Sequence, residues 1–142
     1  MKSKLINESP KTFVLIFETG DEVMEGLKSF AESYSITAAS FKAIGAFSKA
    51  ELGFYDMQRK EYEPIRIDEQ VEVLSIIGDV SLLETKRIIH AHAVVGKRDG
   101  SAHGGHLLKA WVRPTLEVIL IESPAYLDRE MNNEVGIPLI KL

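Results

Sequence analysis

The fold is decided by residues 86–106, KRIIHAHAVVGKRDGSAHGGH. The first half of this stretch, residues 86–96, is rich in isoleucine, valine and alanine, a composition that indicates a β-strand. Arg98-Asp99-Gly100 then predicts a three-residue hairpin loop whose glycine takes the left-handed position. Such a loop pairs Lys97 with Ser101, and the chain then returns antiparallel to the first strand. In every later pair the two residue numbers therefore have the same sum as 97 and 101.

All four histidines of the chain lie within this hairpin: His90, His92, His103 and His106. His90 and His92 are two positions apart on a strand, so they project from the same face, about 7 Å apart at Cα. The predicted register places His92 opposite His106, which brings three imidazoles together. His103 points to the other face unless Gly104-Gly105 forms a bulge, and we leave it out of the site.

Neutral imidazole suits Zn²⁺ and the neighbouring transition metals, and three ligands make a site of a known catalytic or exchangeable type. The sequence therefore predicts that His90, His92 and His106 bind a divalent metal, with zinc as the first choice, or a small ligand. The alternative is structural. In that case His90 and His92 are hydrogen-bonded in a partly polar core, and His106 is a solvated turn residue.

The sequence on either side of this hairpin predicts an α+β fold, a mostly antiparallel sheet with one main helix packed on it. Lys11–Glu18 (KTFVLIFE) is a strand that ends at Gly20-Asp21, where Asp21 can cap a helix. Residues 22–33 form that helix, with apolar side chains at helical spacing. Short β segments follow, and their short links make them antiparallel. We expect these segments at residues 38–46, 49–56, 61–67, 70–80, 86–96, 106–113 and 116–122.

The tail, residues 126–142, predicts one short turn or helix and an apolar end that lies against the body. The whole chain, residues 1–142, is expected to form a single domain.

Several strands, such as Val118–Ile121, are apolar on both faces, and one helix covers only one face of a sheet. We therefore expect a partner subunit to cover the other face; the alternative is a sheet that curls into a barrel.

The composition excludes several classes of function. The chain has 142 residues, 45% of them hydrophobic and none of them cysteine, which excludes thiol nucleophiles, disulfides and cysteine-based zinc sites. No apolar run is long enough for a membrane span, and the N-terminus has no signal-peptide core, so we expect a cytoplasmic protein. Motifs of serine hydrolases, P-loop proteins, dinucleotide-binding proteins and zincin proteases are absent from the sequence.

The net charge of −4 has the wrong sign for a protein whose whole surface binds nucleic acid. A local basic patch at Lys86-Arg87 and Lys97-Arg98 is still available. We expect DNA binding to be weak or indirect.

The sequence resembles the plants-and-prokaryotes conserved (PPC) domain over nearly its whole length. The resemblance rests on GAFSKAELGFYD (45–56), EVLSIIGDV (72–80), HAHAVVGKRDG (90–100), GGHLLKAWVRPTLEVIL (104–120) and EVGIPL (134–139). It implies a stand-alone prokaryotic member that assembles as a homotrimer, with a histidine-containing cleft near the subunit boundaries. His90 and His92 match the family's HxH element and His106 the histidine of its GGHL element.

Stand-alone members of this family are predicted DNA-binding proteins because they are related to a domain that follows AT-hooks in plants. The AT-hook core Arg-Gly-Arg-Pro is absent from this sequence. Two other functions therefore stay open beside metal or ligand binding. One is a DNA-associated regulator. The other is a zinc-dependent hydrolase that uses the same histidines, with Glu117 or another carboxylate as general base. Glu117 has three alternative roles. It could accept a hydrogen bond from the outer nitrogen of a ligand histidine, pair with Arg113 or Arg87, or be a solvated residue.

Overall fold

A computed structural model describes residues 1–123 and 126–141. In these ranges the chain forms one α-helix and nine β-strands. Their order is β1 (Lys2–Glu8), β2 (Lys11–Glu18), α1 (Val23–Ser33), β3 (Ala39–Asp56), β4 (Glu61–Ile67), β5 (Val71–Leu83), β6 (Lys86–Gly96), β7 (Ala102–Glu122), β8 (Asp128–Asn132) and β9 (Ile137–Ile140). The architecture is thus the mostly antiparallel sheet with one helix that the sequence predicts.

Helix α1 packs its predicted apolar stripe against the sheet. Val23, Leu27 and Phe30 are at most 3% exposed. The helix cap differs from the prediction, because the Glu22 carboxylate accepts the Glu25 backbone N–H at 2.7 Å. Asp21 lies one residue too early for this role, and its carboxylate instead accepts the Glu18 backbone N–H and pairs with the N-terminal amino group.

Four strands close on one another around the core. Strand β3 pairs with β5 along one edge and with β7 along the other, β5 pairs with β6, and β6 pairs with the beginning of β7. Every pairing in this circuit is antiparallel. The curled sheet that we considered as an alternative therefore exists, and its inner face buries side chains such as Phe47, Leu107 and Leu116.

The hairpin between β6 and β7 has the predicted register. The Lys97 N–H donates to the Ser101 carbonyl at 2.8 Å, and Gly100 has a φ of 84°. The ladder then runs without a break from Gly96 opposite Ala102 to His92 opposite His106.

Two long strands replace pairs of predicted short ones. The predicted breaks near residue 48 and residue 114 fall inside β3 and β7, where the register between these strands shifts instead of turning. The residue types at these positions favour turns, so the sequence predicted that the strands end there. A β-bulge needs only one extra residue and lets the strand continue. Strand β1, which composition did not reveal, pairs with β2 over Lys2–Glu8.

The tail contains the predicted short turn, at residues 133–136, but two strands that were not predicted flank it. Residues 128–132 and 137–140 form the hairpin β8–β9, and β8 joins the end of β5 in parallel through Leu82 and Leu83. The Leu82 N–H donates to the Leu127 carbonyl at 2.8 Å, so the free edge of β5 binds the start of this hairpin. Leu142 lies outside the described residues.

Apolar side chains also cover part of the outer face of the sheet. Ile44, Leu74 and Ile77 are 54–68% exposed, and Ile119 and Ile121 are 38% and 40% exposed. They belong to neighbouring strands, since Lys42 of β3 pairs with Ile77 on one side and with Ile119 on the other. Among the described residues, no helix is long and apolar enough to cross a membrane.

Gly78 lets β5 approach the strand that carries two of the histidines. A Cβ at this position would meet the Phe41 ring and lie 2.5 Å from the His90 carbonyl oxygen. We predict that Gly78→Ala lowers the free energy of unfolding by about 1–3 kcal/mol, because backbone and ring must move apart. The control is Gly104→Ala, whose Cβ would meet its nearest atom at 3.4 Å. Urea unfolding measures both, and equal stability of the two variants would contradict the tight approach.

Candidate metal centre

Three histidine rings meet on the outer face of the sheet where β6 and β7 pair. One ring nitrogen from each of His90, His92 and His106 lies within 4.8 Å of the other two. The ring centroids are 5.2–5.4 Å apart in all three pairs. An ion 2.0–2.1 Å from each nitrogen of a tetrahedral set would hold the nitrogens about 3.4 Å apart, so the three rings would draw together when they bind one.

The strand pattern explains why these rings share a face. Ala91 and Ala93, which alternate with the two histidines of β6, are buried in the core at 0% and 2% exposure. His90 and His92 therefore point outward, and the register brings His106 to the same side. The sequence prediction that these three residues lie together is thus confirmed.

A partly buried ion pair contacts the ring of His90. Asp79 of β5 lies opposite His90 in the ladder, and its carboxylate is 3.4 Å from the His90 Nδ1 atom. Arg129 of β8 donates to the same carboxylate at 2.9 and 3.1 Å, and its side chain is only 6% exposed. Burial raises the pKa of the Asp79 carboxyl, but hydrogen bonds from His90 and Arg129 outweigh burial and hold the pKa below its usual value.

Tyr62 of β4 holds the third ring. Its ring stacks on His106 with the centroids 4.5 Å apart, and its hydroxyl oxygen is 3.4 Å from His106 Nδ1. Burial raises the pKa of the Tyr62 hydroxyl, which therefore stays protonated at neutral pH. Strand β4 and the tail hairpin thus meet the histidines from two sides.

The site favours uncharged imidazoles. Burial, with the nearby His90, His92 and Arg129 charges, lowers the pKa of His106 to about 4. Burial and the His90 charge also lower the pKa of His92. Neutral rings keep the lone pair that a metal ion needs.

Two further sequence candidates lie apart from this centre. His103 is exposed and pairs with Val95, on the face opposite to that of His92 and His106, and no bulge at Gly104-Gly105 resets the alternation. Glu117 is exposed in the second half of β7, opposite Ile16 of β2. The solvated alternative for Glu117 is therefore the correct one.

The Arg87 partnership considered for Glu117 is not formed. The Arg87 guanidinium donates instead to the Ile36 carbonyl at 2.7 Å.

Three residues beside the centre were not found from the sequence: Tyr62, Asp79 and Arg129. For Asp79 a signal existed, because a carboxylate inside the apolar strand Val71–Leu83 needs a partner. Arg129 carried no such signal, since its position depends on a tail pairing that the composition did not predict.

The fold and site define a small antiparallel β-domain with a three-histidine cluster on its surface. The sequence-family model of the Plants and Prokaryotes Conserved domain, abbreviated PCC or PPC, matches residues 6–124 of this chain. The chain therefore belongs to this family. A comparison with curated proteins found no match.

Solved structures of similar proteins share this fold. A candidate DNA-binding protein from Bacteroides thetaiotaomicron is 25% identical, with a TM-score of 0.92 over 99% of this chain and 96% of that chain. A plant- and prokaryote-conserved protein from Pyrococcus horikoshii is 27% identical, with a TM-score of 0.87 over 99% and 95%. The metal-containing protein AF0104 from Archaeoglobus fulgidus is 31% identical, with a TM-score of 0.84 over 99% and 97%.

The lowered pKa of His106 predicts acid sensitivity of the metal-free protein. A histidine has a pKa of about 6.5 in the unfolded chain, so between this value and about 4 the unfolded state binds more protons than the folded state. Stability from this group is complete above pH 6.5 and is lost as the pH falls towards 4, by about 1–3 kcal/mol. Urea unfolding at a series of pH values in the presence of a chelator measures this loss.

The matched variants are His106→Gln and His103→Gln. The first should flatten the pH dependence of stability between pH 6.5 and 4, whereas the second should keep the wild-type slope. An unchanged slope in His106→Gln would show that His106 is protonated freely in the folded protein.

Proposed function

We propose that this protein binds one divalent transition metal ion per chain through His90, His92 and His106. The observation that carries the proposal is the convergence of three ring nitrogens within 4.8 Å of one another. Three imidazoles are a ligand set that zinc accepts with a fourth position open, so zinc is the first choice of metal. The open position would take water or a small ligand.

The neighbours of the rings support the same ligand set. Asp79 faces Nδ1 of His90, and Tyr62 faces Nδ1 of His106. When a histidine directs its Nδ1–H to an oxygen, its Nε2 lone pair is free to bind a metal ion. This is the usual arrangement in which an outer carboxylate fixes the ring of a metal-binding histidine.

A relative supports the proposal independently. The protein from Archaeoglobus fulgidus, 31% identical over 99% of this chain, is named as metal-containing. The metal in our proposal serves binding or chemistry and not folding, because the core of Phe17, Phe47 and Leu120 is complete within the chain.

Replacement of single histidines tests the ligand set. We predict that protein purified without an affinity tag holds one zinc ion per chain and that His92→Ala loses this ion. His103→Ala is the matched control, since it removes an imidazole of the same hairpin from the opposite face. Elemental analysis after dialysis measures the stoichiometry. Loss of zinc in His103→Ala, with retention in His92→Ala, would contradict the proposal.

The hydrolase alternative lacks a supporting contact. A general base must reach the metal-bound water, but the Asp79 carboxylate is held by Arg129 and faces His90. Glu117 is exposed on another part of the sheet. We therefore propose binding rather than hydrolysis.

A link to DNA has weaker support. The relative from Bacteroides thetaiotaomicron is a candidate DNA-binding protein. In this chain, however, the basic pairs Lys86-Arg87 and Lys97-Arg98 lie at opposite ends of β6, and Lys97 pairs with Glu69 at 2.5 Å. With a net charge of −4, we propose that any contact with DNA is weak or indirect.

We also propose that the protein is a cytoplasmic homotrimer. The exposed apolar side chains of β3, β5 and β7 support association, because solvated patches of this kind mark interaction surfaces. The number three comes from the resemblance to PPC domains. A histidine-containing cleft near the subunit boundary fits this arrangement, since Ile77 pairs with His92 in the ladder.

Light scattering tests the assembly. We predict a mass of about three times the chain mass of 15.8 kDa at micromolar concentration. Ile44→Asp, at a side chain that is 60% exposed on the outer face, should shift the protein towards monomers. Met57→Asp is the control, because Met57 is 58% exposed in the turn after β3. A wild-type monomer, or equal dissociation of both variants, would overturn the proposed surface.

A further inference from the structure

A small cavity of about 200 Å³ lies beside the histidine cluster. His90 and His106 line it together with Tyr62, and the tail hairpin β8–β9 supplies Arg129 and Leu139. The family model ends at residue 124, so the wall that the hairpin supplies lies outside the residues it matches. Neither the family nor the proposed metal says what this cavity holds.

The polar lining of the cavity consists of hydrogen-bond donors and a cation. Arg129 is almost fully buried, and its three nitrogens already have partners: Nε donates to Ser81 Oγ at 2.6 Å, Nη1 to the Pro138 carbonyl at 3.0 Å, and Nη2 to Asp79, with His90 Nδ1 also 3.3 Å from Nη2. Nη1 carries a second hydrogen besides the one that this bond to Pro138 uses. Besides the rings of His90 and His106, the Tyr62 hydroxyl is the other polar side-chain group, and among the described lining residues there is no carboxylate.

The rest of the lining is aliphatic. Ile88 and Ile89 of β6 face the cavity, as do Ile137 and Leu139 of β9. The volume is below the range of about 300–1,000 Å³ that is usual for drug-sized ligands. The occupant must therefore be small and must carry an apolar part.

We propose that this cavity binds a small aliphatic monocarboxylate whose carboxyl group lies against the metal and the Arg129–Tyr62 side. This inference rests on the proposed metal at His90, His92 and His106. The ion adds two positive charges to a site in which the Asp79 charge is already balanced by Arg129, so the cavity attracts an anion. A monoanion with an alkyl group matches one cation, a few donors and aliphatic walls better than a phosphate, which requires more donors.

Isothermal titration of the zinc-loaded protein tests the ligand class. The three probes are isobutyrate, its neutral counterpart isobutyramide, and inorganic phosphate. We expect one isobutyrate per chain, and both other probes should bind at least about tenfold more weakly, as the loss of a charge-assisted hydrogen bond or of apolar contact implies.

Two substitutions at Leu139 test the position. Leu139 is 39% exposed, so a polar residue is tolerated there by the fold. Leu139→Asp places a negative charge at the cavity and should weaken isobutyrate binding about tenfold more than Leu139→Asn, which has nearly the same shape without the charge. Tyr62→Phe keeps the ring beside His106, removes the hydroxyl and should also weaken binding.

Zinc content is measured for every variant before titration. If the wild-type chain holds no zinc, the proposed function fails and this inference fails with it. If zinc is present at one ion per chain and isobutyrate does not bind, only the inference fails. Equal binding of isobutyramide or phosphate, or equal effects of the two Leu139 variants, would also overturn it.

Discussion

The short ladder between β6 and β7 is the pairing on which both the fold and the site depend. It runs over only five residue pairs, from Gly96 and Ala102 to His92 and His106. These pairs close the circuit of four strands around the core. The same register sets His106 beside the two histidines of β6, so a slip of one residue would turn His106 to the other face.

Side chains from three other strands contact the histidine cluster: Asp79 of β5, Arg129 of β8 and Tyr62 of β4. Asp79 faces His90 from the neighbouring strand, and Arg129 reaches this carboxylate from the tail hairpin. A half-buried carboxylate gains from such a partner, because an unpaired charge away from water is costly. The tail is therefore part of the site, although it contributes no histidine. Tyr62 orients the ring of His106 by stacking on it.

The hairpin register and the helix could be predicted because both depend on residues close together in the sequence. The loop Arg98-Asp99-Gly100 fixed the hairpin register, and the register placed three histidines on one face. The helix was predicted from its apolar stripe, but its cap at Glu22 was not, since Asp21 has the more favourable residue type and only the backbone path decides between them.

What depends on distant pairing was not predictable in this way. Strand β8 joins the edge of β5, and that long-range pairing brings Arg129 to Asp79. Likewise, β3 continues through a bulge that a composition-based reading takes for a break, because the neighbouring strand β7 holds both halves. The sequence thus predicted the three-histidine cluster but not the groups that orient its rings or the cavity beside them.

Anomalous diffraction from crystals of the zinc-loaded protein is the most direct test of the central claim. We predict one peak per chain at the zinc edge, about 2.0–2.1 Å from a ring nitrogen of each of His90, His92 and His106. A peak held by surface carboxylates or by His103 would contradict it, as would loaded crystals with no peak between β6 and β7.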